Sequence, residues 1–267
     1  LEEAIKLVYA SVYSKEAREY FDAINYNIEE EKMAVVIQQI VGRRHGHKFY
    51  PLISGVGQSY NYYPFSYIQP EDGVGMIVLG LGRNVVGGER SFRFCPTYPQ
   101  LEILTPEELV KNSQRRFTVL DLEKNTVDLF NGEDATLVKL EISVAEADGT
   151  LKEVASTWNH LDQRLEVGIE SRGPRVINFA NILQYESMPL ARTIKHILNV
   201  AEEALETPVE IEFALDVDSE NLDKPVFYLL QLKHMLRESE DYNIDKAGID
   251  KSKLMLYADS GMGNGRI

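Results

Sequence analysis

The chain has 267 residues, 44% hydrophobic and 26% charged, the proportions of a folded globular protein with one large core or two small ones. Its 42 acidic against 28 basic side chains leave a formal charge of -14, a field that repels nucleic-acid backbones and excludes nucleic acid as an expected partner. A single cysteine, Cys95, excludes an internal disulfide, five scattered histidines show no metal-ligand spacing, and no apolar run is long enough to span a bilayer. These features point to a reducing, cytoplasmic setting. The N-terminus lacks the basic start of a signal peptide, and the chain begins within a helical pattern without an initiator Met, as a piece of a longer polypeptide would.

In chain order, apolar Ala4, Ile5, Val8 and Val12, then Ala17, Tyr20, Phe21 and Ile24, recur at helical intervals and predict two short helices, with Ser14 capping the second. MAVVIQQIV, from Met33 to Val41, is nearly continuous in β-branched and apolar residues and predicts a strand buried on both faces. Residues 42–75 are rich in Gly, Tyr, Asn, His and Pro and predict loop, with one strand near Leu52 to Val56. MIVLGLGRNVVGGE, from Met76 to Glu89, predicts the next strand entering a glycine-rich turn. Thr105, Pro106 and Glu108 are the N-cap, first-position and capping-box residues of a brief helix. From Phe117 to Val154, RFTVLDLE, TVDLF, LVKLEISVAE and TLKEVAS alternate between polar turns and predict an antiparallel meander over about residues 115–165. Leu190, Ile194, Ile197, Leu198, Ala201 and Leu205 form one stripe of a helix that Pro208 ends. VEIEFALDV and PVFYLLQLK follow as two strands around an Asp/Asn-rich loop. The expected fold class is α+β, a mixed or antiparallel sheet flanked by helices plus the meander. The domain occupies residues 1–239, with 240–267 as an extension or linker.

Two places could carry chemistry. Gly80, Gly82, Gly87 and Gly88 suggest a phosphate loop, but a dinucleotide fingerprint needs Gly or Ala where Val85 stands, and it needs a helix that the Gly-broken, β-branched text after the turn disfavours. A tight strand-to-strand turn is the plain reading. The second place is the pair of C-terminal strands. Alternation puts Val209, Ile211, Phe213 and Leu215 on one face and Glu210 and Glu212 on the other. A hairpin closed about Asn221 and Leu222 sets Glu212 opposite Gln231 and Glu210 opposite Lys233. Two acids, an amide and an ammonium suit Mg²⁺ and a polyphosphate; they equally suit a solvent-facing strand with cross-strand ion pairs. His45 and His47 read as part of a basic loop, and SGMGNGR at the chain end reads as a flexible turn.

Several segments match one family in order. LEEAIKLVYASVYSKEAREY is similar to A-I-x-x-x-W-A-S-L-[FY]-S-x-x-A-x-x-Y, MAVVIQQIV to A-V-x-V-Q-x-M-V, and SGVGQSYN to S-G-V-x-F-T-R-[ND]. GLGRNVVGG is similar to G-L-G-E-x-V-V-x-G, PVEIEFALD to P-[VQ]-D-I-E-W-A, and YLLQLKHM to [LF]-x-[IL]-Q-x-R-P. Together they resemble the nucleotide-binding domain shared by phosphoenolpyruvate synthase and pyruvate phosphate dikinase, of the ATP-grasp class. The resemblance covers residues 1–95 and 183–235 and leaves the meander unassigned.

The resemblance implies a lobe that binds ATP with Mg²⁺ and helps pass a phosphoryl group to a carrier His, absent from this chain, on the way to pyruvate. It implies ATP-binding roles for Gln38, Ile40, Val41, Gly82, Glu210, Glu212, Gln231 and Lys233, with Glu212 and Gln231 on Mg²⁺. The partners it implies are a nucleotide and the remaining domains of a longer parent, namely the opposing ATP-grasp lobe before residue 1 and the phospho-His domain; a homodimer is an option, and no membrane is involved. The chain departs from the pattern at Tyr60, where the family has Arg, at Arg83, where it has Glu, and at Lys233-His234, where it has Arg-Pro. Lys keeps the charge but loses the two-point grip of a guanidinium. These departures sustain an alternative, a degenerate module that senses nucleotide or assembles without catalysis.

Overall fold

The computed structural model describes residues 1–23, 27, 29, 31–86, 90–124, 133–217 and 224–235. It opens with helices α1 (Glu2–Ser11) and α2 (Lys15–Ala23). Ser14 caps the second as expected, its Oγ accepting from the Ala17 N–H at 3.2 Å. Residues 31–42 form neither helix nor strand. A buried strand over Met33–Val41 is therefore not found: Val36 is 86% and Ile37 67% exposed. The neighbouring sheet edge is met by a side chain, since Gln38 Nε2 donates to the Leu230 carbonyl at 3.2 Å. β-propensity alone makes no ladder where backbone groups find no register.

The chain continues through β1 (Arg43–His45), β2 (Lys48–Tyr50), β3 (Ile53–Gln58), β4 (Val74–Leu79), α3 (Arg83–Val86) and β5 (Phe92–Phe94). Residues expected to be loop thus hold the β1–β2 hairpin, turning at Gly46 with φ 64°. Next come α4 (Pro106–Asn112), β6 (Arg116–Asp121), β7 (Leu137–Glu141), α5 (Ile142–Ala147), β8 (Ala155–Asn159), β9 (Arg164–Val167) and β10 (Arg175–Ile177). The last described elements are α6 (Ala180–Leu183), α7 (Leu190–Leu205), β11 (Val209–Val217) and β12 (Pro225–His234). The Thr105–Glu108 capping box of α4 is present in both directions.

Among the described residues three antiparallel sheets result, ordered β1-β2-β6-β7, β10-β8-β9 and β12-β11-β3-β4-β5, and with the helices they make the fold class α+β. The meander survives in part. β6 and β7 pair, with Val119 opposite Val138, but β6 also joins β2, and the chain after Glu141 turns into α5 instead of continuing the strand. Ala145 is fully buried there, so packing overrides the weak helix propensity of Ile142 and Val144. TVDLF, Gly87 and Gly88, the turn about Asn221 and the stretch 240–267 lie outside the described residues.

One core joins the elements. It runs from Ile53, Ile77, Phe213 and Leu215 of the central sheet to Ile194 and Leu198 of α7, and on to Phe117, Val154 and Phe179. The α7 stripe buries Leu190, Ala191, Ile194, Leu198 and Ala201, as its periodicity predicts. It packs on β3 and β11, where a Cβ on Gly57 would stand 3.0 Å from Ile194. Since side chains alternate, Val56, Glu210, Glu212 and Ala214 belong to the sheet face turned away from α7.

Candidate functional site

The glycine turn after β4 is built on close approach. Gly80 has φ 83°, and a Cβ there would meet the Thr118 carbonyl at 2.7 Å. A Cβ on Gly82 would stand 3.2 Å from that of Ser54. The chain then makes the single turn of α3 and its strands are antiparallel, so the geometry differs from a dinucleotide loop, where a long helix follows a parallel strand.

This turn forms one wall of a cavity of about 600 Å³ on the sheet face away from α7. Gln38, Gln39, Ile40 and Val41, from the segment before β1, line another wall. Ser54, Val56, Glu212 and Ala214 supply the floor, with Leu230 and Leu137 at the sides. Of the sequence candidates, Gln38, Ile40, Val41, Gly82 and Glu212 therefore converge on one space. Arg83, noted for its departure from the family pattern, lines it as well. Such a mixed wall and volume fall in the range of small-molecule sites.

Glu210, Gln231 and Lys233 stand on the adjoining ribbon. β11 and β12 pair with Glu212 opposite Gln231 and Glu210 opposite Lys233, the register expected from a symmetric hairpin. Lys233 Nζ lies 2.6 Å from Glu210 Oε1 and 3.6 Å from Glu212 Oε1. Gln58 Nε2 donates to the second oxygen of Glu210 at 2.6 Å, so both Glu210 oxygens are engaged by the protein. The hydrogen bond to Glu210 is the main cause holding the Lys233 ammonium above its ordinary pKa, against some desolvation. Beyond Glu212 the register shifts, leaving Leu230 as an extra residue that faces the cavity. Sequence reasoning missed Leu230, because nothing in PVFYLLQLK marks a bulge. It also missed Leu137, which reaches the cavity from β7, distant in the chain.

The sequence model of the family described as "Pyruvate phosphate dikinase, AMP/ATP-binding domain" matches residues 1–253. The chain belongs to this family. A comparison with curated proteins finds no significant match. The family match runs through the meander region as well as the segments that carried the resemblance. As a dikinase-family AMP/ATP-binding domain the chain is a nucleotide-binding module. Among the described residues no helix is long and apolar enough to cross a membrane, and no cluster of three or more His, Cys, Asp and Glu is preformed for a metal.

Proposed function

We propose that the chain is the MgATP-binding lobe of a phosphotransferase like phosphoenolpyruvate synthase or pyruvate phosphate dikinase. In a longer parent it helps carry a phosphoryl group from ATP to a carrier His on another domain, on the way to pyruvate. The observation that carries the reading is the Glu212–Gln231 pair beside a cavity lined by Gln38, Ile40, Val41 and Gly82. The backbone of Ile40 and Val41 serves the purine, and the Glu212 end serves the phosphates. On this reading residues 1–239 form the domain, 240–267 lead out of it, and the setting is cytoplasmic.

The donor set fits Mg²⁺. Glu212 is an acid whose contact with Lys233 is only 3.6 Å, and an amide oxygen stands across from it on Gln231; a hard cation with a small protein share of its shell needs no more. When bound, Mg²⁺ neutralises charge on the phosphates. The chain's own part is positioning. Glu210, held by Gln58 and Lys233, orients the ammonium, and Lys233 adds positive charge next to Glu212.

Calorimetry tests this reading. Glu212→Gln is expected to weaken MgATP binding by roughly tenfold or more while leaving adenosine affinity unchanged. In the parent protein it should also abolish ATP-dependent phosphorylation. Unchanged MgATP affinity would discard the assignment. The second reading, a degenerate module, is favoured by Tyr60 and by Arg83 in the cavity wall. It predicts MgATP binding by the intact parent without phosphate release.

A further inference from the structure

A second cavity, of about 470 Å³, shares no described lining residue with the one beside Glu212. It lies between β5, the 99–114 stretch that contains α4, the small β8–β10 sheet and α6. Phe92, Leu104, Leu109, Leu165, Ile177 and Leu183 make its lining mostly apolar. Leu104, Leu109 and Leu165 are only half-buried, and α4 fully buries none of its residues. Apolar surface that a closed core would cover is thus left facing a hollow, at a cost in lost packing. The volume is in the range of cavities that enclose a drug-sized molecule.

The charged residues that line this cavity are already engaged. Glu102 accepts from Gln184 Nε2 at 3.1 Å, Arg164 lies 3.6 Å from Asp162 and 3.5 Å from Glu166, and Arg93 donates to Asn61 Oδ1 and the Tyr63 carbonyl. The polar group left over is neutral. Asn178, 6% exposed, has its Oδ1 fixed by two donors, the Ser156 hydroxyl at 2.9 Å and the Ala180 N–H at 3.3 Å. Its Nδ2 is therefore an oriented donor without an acceptor among the described residues, on a side chain that borders the cavity. A donor so nearly buried is costly to leave unmet, and a carbonyl oxygen in the cavity would meet it. We infer that this cavity binds an uncharged, mostly apolar ring compound whose carbonyl oxygen accepts from Asn178 Nδ2. The site stands apart from the nucleotide cavity and does not rest on the proposed function.

The test uses the full chain and prodan, an uncharged naphthalene ketone whose emission moves to the blue in apolar surroundings. Wild type should bind it saturably with a blue shift, and excess MgATP should not displace it. Leu109→Trp fills the cavity from a half-buried helix position, and Asn178→Asp keeps the acceptor for Ser156 and Ala180 while losing the donor. Each should weaken prodan binding by roughly tenfold or more. No saturable binding by wild type, or unchanged affinity in either variant, overturns the site. Displacement by MgATP assigns the probe to the other cavity and overturns it too, with the nucleotide reading intact; a chain that binds prodan but not MgATP defeats the nucleotide reading alone. Should a substituted chain fail to fold, the methyl resonances of Leu109 and Leu165 in wild type decide. Shifts in both on adding prodan support the site, and no shift removes it.

Discussion

Asp216 illustrates how position governs a charge. It sits near the end of β11, buried at 7% exposure, and accepts from Arg43 Nε at 3.1 Å. Desolvation outweighs the attraction of Arg43, so its carboxyl titrates above the ordinary aspartate range. A carboxyl with a raised folded-state pKa binds its proton more tightly in the native chain than in the unfolded one. Stability from this group is therefore gained as pH falls through the raised value and lost as pH rises through it. Urea unfolding across mildly acidic pH should show this falling limb in wild type and lose it in Asp216→Asn, which keeps an acceptor for Arg43. At this scale the sequence was a good guide where alternation suffices, as for Glu210 and Glu212, and silent where identity depends on a neighbour. Nothing in SFRF says that Arg93 donates to Asn61 Oδ1 and the Tyr63 carbonyl.

Elements depend on how their open backbone groups are met. β4 is joined to the loop before β6 by one side chain, not by a continuing strand. Gln114 Oε1 accepts from the Leu79 N–H at 2.9 Å, while its Nε2 donates to the Leu79 carbonyl at 3.0 Å and to the Arg116 carbonyl at 2.9 Å. Gln114 is 5% exposed, so truncation strands buried backbone groups at the entry to the Gly80 turn. Gln114→Ala should cost about 2–4 kcal/mol in denaturant unfolding. Thr105→Ala, which removes only an exposed cap, should cost about 1 kcal/mol. Equal losses would show that Gln114 is not a clamp. Helices α1, α2, α4 and α7 were legible because caps and apolar stripes are local signals. The β1–β2 hairpin was not, since its short basic strands are stabilised by β6, some 70 residues away. Met33–Val41 misled because its apolar residues face a cavity and solvent instead of a ladder.

For the whole molecule, the charge of -14 sets the terms on which it meets a nucleotide. The long-range field opposes a polyanion, and the local cations near the cavity must overcome it. Removing Mg²⁺ with a chelator should weaken ATP binding well beyond the loss from Lys233→Gln. Added monovalent salt should then strengthen binding of metal-free ATP, by screening the repulsion. Metal-free binding that weakens with salt would mean that the local cations dominate instead. The same scale explains why one core serves three sheets: the central sheet presents one face to α7 and the small β8–β10 sheet, leaving the other open for the cavity.

The sequence by itself determined the α+β class, the capped helices, the family, and the pairing of Glu212 with Gln231. The family follows from motifs matched in order, and the others from periodicity, capping chemistry or hairpin symmetry over short separations. Only the tertiary structure decided that the 38–41 segment and the Gly82 turn meet Glu212 around one cavity, and that a bulge turns Leu230 into it. Those facts arise from which strands become neighbours and how buried backbone groups are satisfied, and sequence spacing carries no record of either.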